Sequence, residues 1–213
     1  MIKMIFLGAP GAGKGTIAKK FNEEYVIPHI STGDLFREAV KNKKELGEKV
    51  SNILASGGLV PDSITIEIVK QRISEPDCKN GYILDGFPRT IVQAETFEKE
   101  NPIDLVVFFD ISDEDVKKRL GGRRVCEKCG AIYNIYFSSK PKKDGVCDID
   151  GAKLIIRSDD NEESITKRLE MYHSQTAPLI DFYKNLNKLI SVNAMSSVEQ
   201  IFEDINKKIK NRS

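Results

Sequence analysis

Residues 1–16 read MIKMIFLGAPGAGKGT, and the fold is decided there. Ile2–Leu7 is short and apolar and runs straight into glycines, the mark of a buried strand that ends in a tight loop. From Gly8 the loop spells G-x-x-x-x-G-K, a pattern that cradles phosphates. It departs from the usual form at one position: Gly15 stands where Ser or Thr closes the motif, and Thr16 follows. The physics survives that change. Glycines let the backbone curl until several N–H groups point inward at phosphate oxygens. The helix that follows offers its positive N-terminal end, and Lys14 adds a point charge. A glycine-rich turn without a ligand would need neither the lysine nor the helix.

Working outward, Thr16–Tyr25 has helical composition, and His29–Ser31 reads as a short second strand. Gly33–Lys41, Glu45–Ser56 and Asp62–Ser74 read as helices, with Gly57-Gly58 closing the second and Pro61-Asp62 opening the third. Tyr82–Asp85 is a strand, Thr90–Glu100 a helix, Leu105–Asp110 a buried strand and Asp113–Leu120 a helix closed by Gly121-Gly122. Asn161–Leu186 reads as one long helix bent at Pro178. Leu189–Val192 and Ser197–Lys208 give a last strand and helix. Alternating strands and helices predict an α/β fold, a parallel sheet covered by helices on both faces. Arg123–Ser158, rich in Cys, Gly, Lys, Tyr and Pro, breaks the rhythm and reads as a small inserted module.

Hydrophobic residues make up 40% of the 213-residue chain and charged residues 31%, which suits a solvated surface around a real core. Lys+Arg is 33 against Asp+Glu 32, so the net charge is +1, without the basic excess of a nucleic-acid or membrane binder. No apolar run approaches the roughly 20 residues that cross a bilayer, and a cytoplasmic protein is expected.

Cysteine usage points to metal rather than disulfides. Cys126-Glu127-Lys128-Cys129-Gly130 is a C-x-x-C-G turn, and Cys147-Asp148-Ile149-Asp150-Gly151 is a C-x-x-D-G turn. Two such turns facing each other complete a tetrahedral site. Asp150 fits better than Asp148 because it stands at the same step from Cys147 as Cys129 does from Cys126. A redox CxxC pair and a nucleic-acid-gripping zinc ribbon are the competing readings. Cys78 stands apart and reads as a plain thiol.

Three further segments name a substrate. Ser31-Thr32-Gly33-Asp34-Leu35-Phe36-Arg37 resembles the STGD…R segment of adenylate kinases, and Asp85-Gly86-Phe87-Pro88-Arg89-Thr90, with Gln93 behind it, resembles their DGFPRT…Q signature. Arg123, Arg157 and Arg168 fall where that family places its phosphate-binding arginines. The resemblance runs from the first strand to the last helix. It implies a P-loop NTPase-type fold, Mg²⁺-dependent transfer of a phosphoryl group from ATP to AMP to give ADP, and a monomer. It implies an ATP site at Gly11, Ala12, Gly13, Lys14, Gly15, Thr16, Arg119, Arg123, Ile132, Tyr133 and Ser196. It implies an AMP site at Thr32, Arg37, Gly58, Leu59, Val60, Gly86, Phe87, Pro88, Arg89, Gln93, Arg157 and Arg168. Lys14, Arg89, Arg123, Arg157 and Arg168 would be catalytic.

Asp85 would hold Mg²⁺ through water, as an aspartate that ends a strand beside the phosphate loop can. Structural Zn²⁺ would sit on Cys126, Cys129, Cys147 and Asp150, since the family includes such metal-bearing lids. The core would comprise 1–30, 61–121 and 160–213, with an AMP-binding segment at 31–60 and a lid at 122–159, both expected to move. His29 and His173 read as structural. A UMP or CMP kinase, a zinc-ribbon nucleotide-binding regulator and a non-catalytic ATP-binding scaffold are the alternatives.

Overall fold

Strand β1 (Ile2–Gly8) occupies the middle of a five-stranded parallel sheet in the order β2-β3-β1-β4-β8. The other strands are β2 (His29–Ser31), β3 (Gly81–Asp85), β4 (Leu105–Asp110) and β8 (Leu189–Asn193), and β1 pairs directly with β3 and β4. The computed structural model describes residues 2–42, 45–137 and 139–210. The expected segments 1–30, 31–60, 122–159 and 160–213 each include a residue or more outside that set.

Alternation along β1 explains the layers. Met4 and Phe6 face one side, with Ile17 and Phe21 of α1 (Lys14–Tyr25) and Ile201, Phe202 and Ile205 of α9 (Val198–Lys210). Ile5 and Leu7 face the other, with Val69 of α4 (Asp62–Ile73), Phe97 of α5 (Ile91–Glu100), and Leu179 and Tyr183 of α8 (Pro178–Asn185). Strands covered on both faces need a near-continuous apolar run, as the LVVFF of β4 shows before Asp110 ends the strand in solvent. Phe97 is wholly buried and meets Phe87 edge-on at 5.1 Å between centroids. Burial of such a ring is worth roughly 1.5–3 kcal/mol. The core is thereby tied to the DGFPR loop.

Two helices, α2 (Thr32–Lys41) and α3 (Glu45–Ala55), form an appendage with its own small apolar cluster of Phe36, Val50 and Val60. After α6 (Asp113–Gly121) comes a separate antiparallel sheet, β6-β5-β7, made of β5 (Arg123–Cys126), β6 (Ile132–Asn134) and β7 (Leu154–Ile155). Helix starts follow capping chemistry: Ser31, Thr90, Ser112 and Asn161 each accept a backbone N–H three residues on.

One expectation is corrected. Asn161–Leu186 is not a single helix bent at Pro178. Asn161 is a cap, α7 (Glu162–Met171) ends in a π turn over Tyr172–Thr176, and α8 begins at Pro178. The proline lacks an N–H and suits the first position of a new helix, so the distortion falls in the turn before it.

Candidate functional site

At its carboxyl end β1 lies between strands reached in opposite directions, the switch point where open α/β sheets bind ligands. The glycine loop emerges there. Gly13 has φ 91°, a left-handed conformation that glycine adopts without strain, and α1 starts directly behind it. The loop opens on a cavity of about 1330 Å³, larger than the usual 300–1,000 Å³ for one small ligand.

Lys14 curls over the loop. Its Nζ donates to the Gly8 and Ala9 carbonyls at 2.9 Å each and lies 3.9 Å from Asp85 Oδ1. Burial pushes its pKa below the usual lysine value, with Arg89, Arg168 and Arg123 adding repulsion and Asp85 opposing. Burial raises the Asp85 carboxyl, but Lys14 and the His29 ring pull it down further, so it lies below the ordinary carboxylate value. His29 Nε2 is 3.3 Å from Asp85 Oδ2. His29 also lines the cavity. His173 does pair elsewhere, with Asp113 at 2.8 Å.

Arg37, Arg89, Arg123, Arg157 and Arg168 all line the cavity. Burial, then repulsion from Arg168, lowers the Arg89 pKa to about 10, and burial, then Arg37, lowers Arg157 to about 10. Burial lowers Arg168 as well. Acids steady the set from behind. Asp160, whose side chain is fully buried, takes Arg123 Nε at 2.7 Å and Arg123 Nη2 on its other oxygen, and also takes Arg168 Nη1 at 3.3 Å. Asp159 lies 3.2 Å from Arg168, and Asp34 takes Arg37 at 2.6 Å. Asp159 and Asp160 were not singled out in the sequence, although their pair directly before a helix cap was the available signal.

Gly11, Ala12, Gly15, Thr16, Leu59, Gly86 and Pro88 line the cavity as well, as do Ile132, Tyr133 and Ser196. Arg119 is pinned to the Ala12 and Ala194 carbonyls, with Phe137 5.6 Å from its guanidinium carbon. Thr32 is buried and donates to the Gly86 carbonyl at 2.8 Å. Val60 and Phe87 point into apolar clusters, and Gly58, between Leu59 and the cavity-lining Gly57, is not itself on the wall. Gln93 is buried with both ends of its amide engaged: Nε2 donates to Asp62 Oδ1 at 2.8 Å, and Oε1 accepts the Arg89 N–H at 2.7 Å. Each end keeps one further position, a second N–H on Nε2 and a second lone pair on Oε1.

Ligand atoms of Cys126, Cys129, Cys147 and Asp150 lie within 4.8 Å of one another. The two turns share one backbone pattern. Gly130 N donates to Cys126 O at 3.1 Å, and Gly151 N donates to Cys147 O at 3.0 Å. Cys129 Sγ and Cys147 Sγ stand 3.7 Å apart, and Cys126 Sγ and Asp150 Oδ1 3.4 Å. Zn–S bonds of about 2.3 Å give tetrahedral edges of about 3.8 Å, so the donor set fits such an ion. The Ala152 N–H holds the Asp150 carboxyl down at about 2, the ionised form a metal requires. Asp148 instead accepts the Lys142 N–H at 2.9 Å. Cys78 is buried far from this cluster, and burial raises its thiol pKa to about 11.

Phosphates are the ligands that balance so many buried guanidiniums beside a glycine loop, and fold and cavity together define a P-loop nucleotide-binding protein. A family model described as Adenylate kinase matches residues 6–188. Adenylate kinase of Treponema denticola is 53% identical over 197 residues, covering 92% of this chain and 94% of the relative. Those of Thermosipho africanus and Clostridium tetani are each 49% identical over 209 residues, covering 96% of this chain and 97% and 96% of the relatives. The chain belongs to the adenylate kinase family and is a nucleoside monophosphate kinase, a phosphotransferase.

Removing the carboxylate that joins two arginines strips Arg123 of its paired acid and leaves Arg168 with Asp159 alone. Asp160→Ala is expected to cost about 3–5 kcal/mol of stability in denaturant unfolding. A change under about 0.5 kcal/mol would show that the pairs carry no net stabilisation.

Proposed function

We propose that the protein catalyses reversible Mg²⁺-dependent transfer of the terminal phosphoryl group of ATP to AMP, giving two ADP. The observation that carries this reading is the single cavity with a phosphate loop at one end and arginines from α2, the DGFPR loop, the inserted sheet and α7 around it. ATP phosphates would lie on Gly11–Thr16, with Lys14 on the terminal groups and Arg119, Ile132, Tyr133 and Ser196 toward the donor base. AMP would lie against Thr32, Arg37, Gly58–Val60 and Gly86–Arg89, with its base toward Gln93. Arg89, Arg123, Arg157 and Arg168 would surround the moving phosphoryl group.

The acceptor is a phosphate oxygen already ionised near neutral pH, so no general base is required. What remains is charge repulsion and alignment, which fixed guanidiniums address. Asp85 fits a divalent cation: its carboxylate faces the cavity beside Lys14 and is held in the ionised form. It would hold Mg²⁺ through water. When bound, Mg²⁺ neutralises developing phosphate charge.

A coupled assay with ATP, Mg²⁺ and AMP is expected to give ADP, with UMP and CMP as poor acceptors. Lys14→Ala and Arg89→Ala are expected to lower the rate by about 10³ or more. ADP formation that needs no AMP, or that survives both substitutions, would exclude the reading.

The proposed division into core (1–30, 61–121, 160–213), AMP-binding segment (31–60) and lid (122–159) serves to exclude water, the competing acceptor. Closure on a ligand that spans both sites should shrink the radius of gyration in solution scattering. An unchanged radius would contradict it. A cytoplasmic location is expected, a monomer is the form the family resemblance supports, and sedimentation would test the monomer.

In the lid, Cys126, Cys129, Cys147 and Asp150 would bind structural Zn²⁺, all four positions being filled by protein. Chelation, or Cys126→Ser, is expected to release one equivalent of zinc and lower the melting temperature. An identical melt after verified metal loss would refute a structural role.

A further inference from the structure

The helix that carries Arg168 does not continue as an α-helix. Ala177 N donates to Tyr172 O at 2.8 Å, a bond one residue longer than an α-helical one, and Tyr172–Thr176 forms a π turn. Single π turns gather at functional sites because the extra residue re-aims the side chains beyond it. In an unbroken α-helix the eight positions from Arg168 to Thr176 would turn the two side chains about 80° apart. With one residue absorbed in the wide turn, they return to within about 20° of the same face. Both line the cavity.

Hydroxyls inside helices usually fold back onto the carbonyl four residues earlier. Thr166 does so onto Glu162 at 3.0 Å, and Ser174 onto Glu170 at 2.9 Å. Thr176 does not. Its Oγ1 leaves the helix and donates to the Arg89 carbonyl at 2.9 Å, and the side chain is buried. Arg89 is then fixed at three points: its N–H by Gln93, its carbonyl by Thr176, and its Nε–H on the Gly86 carbonyl at 2.9 Å. Only the outer guanidinium nitrogens remain to face a ligand.

We propose that Thr176 is the positioning residue that sets the aim of Arg89, and that the π turn is what brings it there from the helix bearing Arg168. The inference rests on Arg89 as an AMP-phosphate ligand in the reading above. Misalignment of a phosphate-binding guanidinium would weaken acceptor use while leaving the donor site, anchored on the glycine loop, as it was.

The test compares Thr176→Val, which keeps the shape and loses the donor, with Thr176→Ser, which keeps the donor. Val is expected to raise the AMP KM about tenfold, the size of one lost buried hydrogen bond. The ATP KM should hold within about twofold, and Ser should behave as wild type. In the free protein, the Arg89 Nε–H NMR signal should move in Val and not in Ser. Thr176→Ala replaces Val in both measurements should Val not fold. Wild-type behaviour in Val, equal impairment in Val and Ser, a parallel rise in both KM values, or an unmoved Arg89 signal would each overturn the proposal. Wild-type protein with no AMP-dependent turnover would sink the kinase reading instead, and the NMR comparison would still decide the role of Thr176.

Discussion

Mutual repulsion among buried cations organises this molecule. Lys14, Arg89, Arg123, Arg157 and Arg168 line one cavity, and burial lowers the pKa of Lys14, Arg89, Arg157 and Arg168. Such a set persists only when the rest of the structure holds it. Asp85 offsets Lys14, Asp160 spans Arg123 and Arg168, and Asp34 holds Arg37. Phosphate oxygens are the remaining counter-charge that the cavity has room to accept. The same unfavourable field that costs folding energy becomes the binding energy for polyphosphate ligands.

The scaffold meets this demand by separating two tasks. The parallel sheet, buried on both faces, fixes the glycine loop, Asp85 and the DGFPR loop at the ends of adjacent strands β1 and β3. The arginines come mostly from outside it: Arg37 from α2, Arg123 from the inserted sheet, Arg157 from the chain after β7 and Arg168 from α7. Among the described residues, the inserted sheet has a small apolar cluster of Cys126, Tyr133, Cys147 and Leu154, with Ala131 and Ala152 beside it. So small a core does not hold a module together unaided, and the proposed metal on the four clustered ligand atoms would supply the staple.

Much of this was legible in the chain. Strand and helix bounds read from periodicity, glycine and proline fall within two residues of those observed, the long helix aside. The glycine loop and the paired knuckles were readable because each is local: the chemistry lies in residues a few positions apart. The π turn was not readable. Pro178 signalled a break, but its place depends on how Thr176 packs against the Arg89 loop, 87 positions away in sequence.

The amino-acid sequence by itself determined the phosphate loop, the alternation that gives a parallel sheet, the paired C-x-x-C and C-x-x-D turns and the family signatures. Each is written in short-range spacing, where backbone geometry alone fixes the outcome. Tertiary structure decided which acids hold the arginines, that His29 stands beside Asp85, that Gln93 braces Arg89 and Asp62, and that Thr176 reaches across to Arg89. Apart from Asp34 with Arg37 and Gln93 with Arg89, which stand 3 and 4 positions apart, those contacts join residues from 8 to 87 positions apart. They exist only after the sheet and helices have packed, because folding, not local conformation, brings their partners within hydrogen-bonding reach.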